Sequence, residues 1–233
     1  MYGKLITAFN KQRENLMYIQ ITNRCNMTCE HCCFDCKKIG IDMSNEVFMK
    51  ALDITEGLYD SLTLGGGEPT LHPNFRNFLL DAINIDYCGD YPVFIITNGS
   101  VKKHALLIVK LVKGELLRAE LSTDRYHDYS MVDEEVREAF ESLECGTRDV
   151  SRNIRAKGRA KDFGWEKGCA CNTWFIAPNG DLKPCGCLDS PVLLNIMDKE
   201  TEEIIDFINY YEEKYELSYS GCYHDIDKEL LTA

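Results

Sequence analysis

The chain has 233 residues and a mass of 26.7 kDa, and 45% of its residues are hydrophobic, which is enough for one full-sized core with a small appended module. Its formal net charge of −12 argues against a protein that grips a nucleic acid backbone along a basic face. No run of 18 apolar residues occurs, and the first residues lack the apolar stretch of a secretory signal. We therefore expect no membrane partner and a cytoplasmic location.

The twelve cysteines fall mostly into two groups along the chain. In a chain that stays in the cytosol, thiols are kept reduced, so metal ligation is a better explanation for them than disulfides. The early group comprises Cys25, Cys29, Cys32, Cys33 and Cys36, and the late group comprises Cys169, Cys171, Cys185, Cys187 and Cys222. Two groups indicate two metal sites.

The pattern of apolar residues predicts strands that alternate with helices. Buried strands are predicted over 16–22, 61–64, 93–97 and 118–122, and helices over 44–59, 74–85, 101–112 and 133–143. This order predicts an α/β fold with a parallel sheet, in which the functional loops lie at the carboxyl ends of the strands. The loops expected to meet there are 25–36, 65–70, 97–100 and 122–127.

The pattern changes after about Val150. We predict a barrel core over residues 1–155, with a further strand at 151–154, and a small cysteine-rich module over 156–233. Within the module, Asn179 and Gly180 are predicted to form the turn of a hairpin, and residues 200–217 an amphipathic helix.

Cys25, Cys29 and Cys32 follow the first predicted strand with the spacing CxxxCxxC. Three thiolates suffice to bind three irons of a four-iron cluster, and the open fourth iron can then chelate the amino and carboxylate groups of S-adenosylmethionine (SAM). The alternative from spacing alone is a zinc site in which the fourth ligand is His31, Cys33 or Cys36.

The stretch ITNRCNMTCEHC resembles the signature loop of the radical SAM superfamily. His31 holds a place where that family commonly has an aromatic residue, and where histidine also occurs. The resemblance implies a partial (β/α)6 barrel, a 4Fe-4S cluster on Cys25, Cys29 and Cys32, and bound SAM. It also implies an external one-electron donor such as flavodoxin or ferredoxin.

The ends of the next three predicted strands also resemble the family's SAM site, although each is open to interpretation as an ordinary turn. GGGEP matches the family's GGEP motif, which binds the SAM amino group; TNG and LSTDRYH follow the third and fourth strands. The residues assigned to SAM by this resemblance are Gly66, Gly67, Glu68, Pro69, Thr97, Asn98, Ser122 and Asp124. Arg159 could pair with a carboxylate of SAM or of a substrate, but a solvated charge is the favoured interpretation.

The late cysteines resemble the opening of the SPASM and twitch modules of some radical SAM enzymes. This resemblance implies a second, auxiliary 4Fe-4S cluster on Cys169, Cys185, Cys187 and Cys222, with Cys171 as a substitute ligand. A zinc ribbon that stabilises the module is the alternative.

The resemblance also implies an enzyme that reductively cleaves SAM to a 5′-deoxyadenosyl radical, which abstracts a hydrogen atom from a substrate. A peptide or protein is the favoured substrate. Rearrangement of a nucleoside or modified nucleobase, and activation of a glycyl-radical enzyme, are the alternatives. A zinc-binding adaptor is the alternative outside the enzymes, but it leaves GGGEP and TNG at successive strand ends unexplained.

Overall fold

The computed structural model describes residues 17–58, 61–85, 93–151, 154–165 and 173–215. Within these ranges the chain forms eight strands and five α-helices. In chain order they are β1 Met17–Thr22, α1 Asn45–Glu56, β2 Leu62–Gly66, α2 Phe75–Ile83, β3 Val93–Thr97, α3 Lys102–Lys113, β4 Arg118–Ser122, α4 Glu134–Glu141, β5 Thr147–Arg148, β6 Trp174–Ile176, β7 Asp181–Lys183, β8 Leu194–Asn195 and α5 Thr201–Tyr215. None of the helices in these ranges has the length and apolar character needed to cross a bilayer.

The strands form one mostly parallel sheet in the order β5-β4-β3-β2-β1-β6-β7-β8. Every pair from β5 to β6 is parallel, whereas β7 and β8 continue the sheet in antiparallel fashion. This architecture confirms the predicted α/β class and is consistent with a partial radical SAM barrel.

The four predicted strand–helix units are confirmed, with boundaries within a few residues of those expected. The first unit, β1 and α1, shows why these elements were predictable. Ser44 begins α1 as its N-cap, and the Ser44 Oγ accepts a hydrogen bond from the Val47 N–H at 3.2 Å. Central strand β1 is covered on both faces, as is typical of a parallel sheet: Met17, Ile19 and Ile21 are fully buried on one face, and Gln20 and Thr22 are buried on the other.

Of the strand predicted over 151–154, residues 152 and 153 lie outside the described residues, and neither Ser151 nor Ile154 is in a strand. The fifth parallel strand is the two-residue β5, Thr147–Arg148, which pairs with the end of β4. The chain turns directly after it, because the Asp149 Oδ1 accepts a hydrogen bond from the Ser151 N–H at 2.8 Å.

The hairpin predicted around Asn179 and Gly180 is confirmed as β6 and β7, and Gly180 has the left-handed φ of +88° that favours glycine. Strand β6 also pairs with β1, so the later part of the chain extends the main sheet. The division at residue 155 stays a prediction.

The predicted amphipathic helix is confirmed as α5, which packs against α1. Ile204 and Ile208 are fully buried on one face, and the buried Trp174 Nε1 donates a hydrogen bond to the Glu212 carboxylate at 2.7 Å. Because β1, β2, β3 and β4 are parallel, their carboxyl ends lie along one edge of the sheet.

Candidate active site

The loop after β1 carries the first cysteine group. Its two ends are held together because the Cys25 N–H donates to the Lys37 carbonyl at 2.7 Å. Within the loop, the Cys32 N–H donates to the Cys29 carbonyl at 3.2 Å and forms a turn. Cys29 is buried, while Cys25 and Cys32 are partly exposed. Three thiols on one loop at the carboxyl edge of the sheet form a donor set whose chemistry fits an iron-sulfur cluster.

The environments of these thiols differ. Burial raises the pKa of Cys25 to about 12, which favours the neutral thiol, so metal binding there releases a proton. Hydrogen bonding by the Cys36 thiol lowers the pKa of Cys32 to about 6. The main-chain N–H of Cys36 also donates a hydrogen bond to the Cys32 Sγ at 3.4 Å. Cys36 is buried beside Cys32, whereas Cys33 is exposed.

The glycine-rich end of β2 packs directly onto the start of the cysteine loop. The Gly67 N–H donates to the Thr22 carbonyl at 2.7 Å, and the Glu68 N–H donates to the Arg24 carbonyl at 2.8 Å. A Cβ atom at Gly67 would lie 2.3 Å from the Arg24 carbonyl oxygen. Glycine is therefore required for this approach of two main chains.

The Glu68 side chain ties the end of β2 to the end of β3. Its Oε1 accepts hydrogen bonds from the Thr70 N–H at 3.1 Å and from the Thr70 and Thr97 hydroxyls, and its Oε2 accepts one from the Asn98 N–H at 2.7 Å. Only 1% of Glu68 is exposed, and burial raises the pKa of its carboxyl. Because the Glu68 carboxylate is already hydrogen-bonded within the chain, the loop has its main-chain carbonyl groups left to bind the ammonium group of a ligand.

We expect Glu68→Gln to destabilise the metal-free chain by about 1–3 kcal/mol, because the amide nitrogen of glutamine cannot accept from the donors that surround the carboxylate. Urea unfolding measures this loss, with the exposed Glu141→Gln as the control. An unfolding free energy equal to that of the unsubstituted chain would show that these hydrogen bonds do not hold the two loops.

The end of β3 contacts the cysteine loop through asparagines. The Asn98 Nδ2 donates to the Asn26 Oδ1 at 3.1 Å and lies 3.9 Å from the Cys25 Sγ, while the Asn26 Nδ2 donates to the Ser100 Oγ at 2.9 Å. Asn26 was not expected at the site, because it occupies one of the variable positions of CxxxCxxC. Asn98 therefore lies beside Cys25, whereas Thr97 contacts the Glu68 carboxylate, and the assignment of both residues to SAM stays a prediction.

The residues that follow β4 contact the cysteine loop at His31. Asp124 is 1% exposed, and its Oδ1 accepts from His127 Nδ1 at 2.9 Å, while its Oδ2 lies 3.5 Å from His31 Nε2. Burial opposes the charged form of His127, but hydrogen bonds with Asp124 and Cys29 outweigh it and raise the His127 pKa to about 9. Ser122 lies at the end of the strand, where its carbonyl accepts from the Tyr129 hydroxyl at 3.4 Å.

Aromatic rings continue from His31 along this edge. The ring of Tyr126 lies 5.1 Å from His31 and 5.5 Å from Trp165, and Phe163 lies 5.7 Å from Trp165. The Arg125 guanidinium lies over Tyr126 at 4.9 Å from the ring centre. This aromatic group suits the stacking of a planar ring.

The interpretation of Arg159 as a solvated charge is wrong. Its side chain is 18% exposed, and the Nε donates to the Asp35 Oδ1 at 3.0 Å while an Nη donates to the Cys29 carbonyl at 2.9 Å. Arg159 therefore contacts the cysteine loop of its own chain. These partners lie 124 and 130 residues away, so no local sequence signal reveals them.

Two members of the late cysteine group are described, and both are buried. Cys185 and Cys187 flank Gly186, where an added Cβ would lie 2.7 Å from the Phe34 ring and 3.0 Å from the Phe175 ring. Phe34 belongs to the first cysteine loop, so the two groups approach each other. Cys169, Cys171 and Cys222 lie outside the described residues, and the second cluster stays a prediction.

A family model for the radical SAM superfamily matches residues 19–169. The SAM-dependent nucleotide dehydratase of Selenomonas ruminantium is 33% identical over 102 residues, which cover 42% of this chain and 33% of that protein. A tungsten-containing aldehyde ferredoxin oxidoreductase cofactor-modifying protein of Pyrococcus furiosus is 33% identical over 95 residues, which cover 39% of this chain and 26% of that protein. The matched region thus spans about a third or less of each relative.

Two solved structures share the fold. BtrN in complex with AdoMet and 2-DOIA has a TM-score of 0.58 at 16% identity, covering 88% of both chains. Native anSMEcpe with bound AdoMet and a peptide has a TM-score of 0.56 at 16% identity, covering 89% of this chain and 84% of that chain. With the family match over residues 19–169, these findings show that the chain belongs to the radical SAM superfamily of enzymes, whose members use a 4Fe-4S cluster and SAM.

Proposed function

We propose that Cys25, Cys29 and Cys32 hold a 4Fe-4S cluster and that this protein uses it to cleave SAM reductively, with hydrogen abstraction from a substrate by the 5′-deoxyadenosyl radical. The observation that carries this proposal is the convergence of the cysteine loop with the ends of β2, β3 and β4. An external donor such as flavodoxin or ferredoxin supplies the electron.

The chain's own residues bind and orient SAM in this proposal. Main-chain groups at Gly66 and Gly67 receive the amino group, while Glu68 keeps the loop in place through its bonds to Thr97 and Asn98. The remaining residues assigned to SAM are Pro69, Ser122 and Asp124.

A peptide or protein is the first candidate substrate. Its support is the late cysteine group, which resembles modules that hold auxiliary clusters. In this proposal the second 4Fe-4S cluster is bound by Cys169, Cys185, Cys187 and Cys222.

A nucleotide is the second candidate substrate. Two observations favour it: the aromatic group formed by His31, Tyr126, Trp165 and Phe163 beside the cysteine loop, and the 33% identity over 102 residues to a nucleotide dehydratase. A planar base can stack on these rings, and Arg125 adds a positive charge nearby.

Deuterium transfer separates the candidates. The reconstituted protein is incubated with SAM, a reductant and either deuterated nucleoside triphosphates or a deuterated peptide library, and the 5′-deoxyadenosine is analysed by mass spectrometry. Deuterium from only one set identifies the substrate class. Deoxyadenosine that forms without transfer from either set would contradict both assignments.

A further inference from the structure

Arg159 lies at the centre of a set of contacts with the first cysteine loop. Its two Nη atoms donate to the carbonyls of Cys29, at 2.9 Å, and of Cys36, and its Nε donates to the Asp35 carboxylate at 3.0 Å. Its own N–H donates to the Cys32 carbonyl at 2.9 Å. One residue thus binds two of the three proposed ligand residues and the buried cysteine beside them.

Gly158 makes this approach possible. It has a φ of +56°, and a Cβ atom there would lie 2.2 Å from the Cys33 carbonyl oxygen and 2.6 Å from the Cys32 carbonyl oxygen. No side chain fits between these two main chains. The 3-10 helix Gly158–Phe163 therefore lies directly on the cysteine loop, and Ala160 is fully buried beside Arg159.

The chemistry of the guanidinium suits this position. It is planar and always charged, and it presents several N–H donors in fixed directions, so it can satisfy separate carbonyl and carboxylate acceptors at once. A lysine ammonium carries the same charge but cannot reproduce that fork. Because each peptide group is planar, fixing a carbonyl also fixes the orientation of the residues on either side of it.

We propose that Arg159 is a positioning residue for the iron-sulfur cluster, holding the main chain of Cys29, Cys32 and Cys36 in the arrangement that binds iron. The inference rests on the proposed function, because it assumes that Cys25, Cys29 and Cys32 bind the cluster. In this proposal the 3-10 helix Gly158–Phe163, from a distant part of the chain, completes the cluster site.

The test compares Arg159→Lys, Arg159→Gln and Arg159→Ala in the full chain after anaerobic reconstitution. The first readout is the rate at which an iron chelator removes iron from the protein. We expect this rate to rise by roughly tenfold or more in all three variants, because charge-assisted hydrogen bonds to the ligand loop are lost. The second readout is the midpoint potential of the cluster, which we expect to fall in Arg159→Gln and to be restored by Arg159→Lys, since only the first removes a positive charge.

Two controls separate this role from general destabilisation. Lys161→Gln removes a charge from the same 3-10 helix at an exposed position and should leave both readouts unchanged. Guanidinium ion, added to Arg159→Ala at a concentration that does not denature the protein, should slow iron loss again by occupying the vacated site. A general loss of fold would not be corrected in this way.

The outcomes are distinguishable from those of the proposed function. If the unsubstituted protein binds iron and all Arg159 variants release it at the same rate, the positioning role is wrong and the proposed function stands. If the unsubstituted protein binds no iron, the proposed function itself fails.

Discussion

Replacing Cys25, Cys29 and Cys32 together by alanine is expected to remove cluster iron and to lower 5′-deoxyadenosine formation by about 10³-fold or more, because no route remains for the electron to reach SAM. The three thiols lie on one loop at the carboxyl end of β1, and the buried Cys29 also contacts His127. Iron analysis and liquid chromatography of the reaction mixture measure both effects.

Single cysteine variants provide the matched controls. The exposed Cys145 lies in the turn before β5, so Cys145→Ala should keep full iron content, as should Cys33→Ala. If Cys33→Ala or Cys36→Ala removes the metal and that metal is zinc, the site is a zinc knuckle and the proposed function is wrong.

Gly67→Ala is expected to lower SAM cleavage by about 10²-fold, the loss that follows from a displacement of about 1 Å in a reacting group. The new Cβ atom would lie 2.3 Å from the Arg24 oxygen and 2.6 Å from the Arg24 carbonyl carbon, directly before the first cysteine. Neither main-chain atom can rotate away, so the cysteine loop and the β2 loop must separate. Initial rates of deoxyadenosine formation measure the effect.

Gly114→Ala is the control for this substitution. Gly114 ends α3, and its nearest neighbouring atom would lie 3.5 Å from an added Cβ, which is an ordinary contact distance. We expect its activity to match that of the unsubstituted protein. Equal activity in Gly67→Ala and Gly114→Ala would refute the close approach of the two loops as a requirement for catalysis.

Most of the parallel sheet was predictable because β1, β2 and β3 contain mostly apolar residues and β4 has apolar residues at alternate positions, with glycine or polar residues at the strand ends. Strand β5 was not, since Thr147 and Arg148 carry no apolar pattern and pair only with the end of β4. Propensity also could not show that β6 pairs with β1, because that pairing joins residues far apart in the chain.

The candidate site likewise has features that were predictable from the sequence and features that were not. Contiguous motifs marked the cysteines, GGGEP and TNG, and the structure brings these loops together at one edge. The hydrogen-bond partners of Glu68 and Arg159 could not be predicted from the sequence, because they come from other loops. Glu68 bonds to Thr97 and Asn98, and Arg159 bonds to the cysteine loop. A charged residue in a polar stretch is usually solvated, and only the fold shows which one is buried.

Electron paramagnetic resonance of the dithionite-reduced, reconstituted protein shows whether this chain binds a cluster that reacts with SAM. We expect about four irons per chain, or about eight with a second cluster, and a signal that changes when SAM is added. Stoichiometric zinc in place of iron, or a cluster signal that SAM leaves unchanged with no deoxyadenosine formed, would show that the chain does not bind a cluster that reacts with SAM.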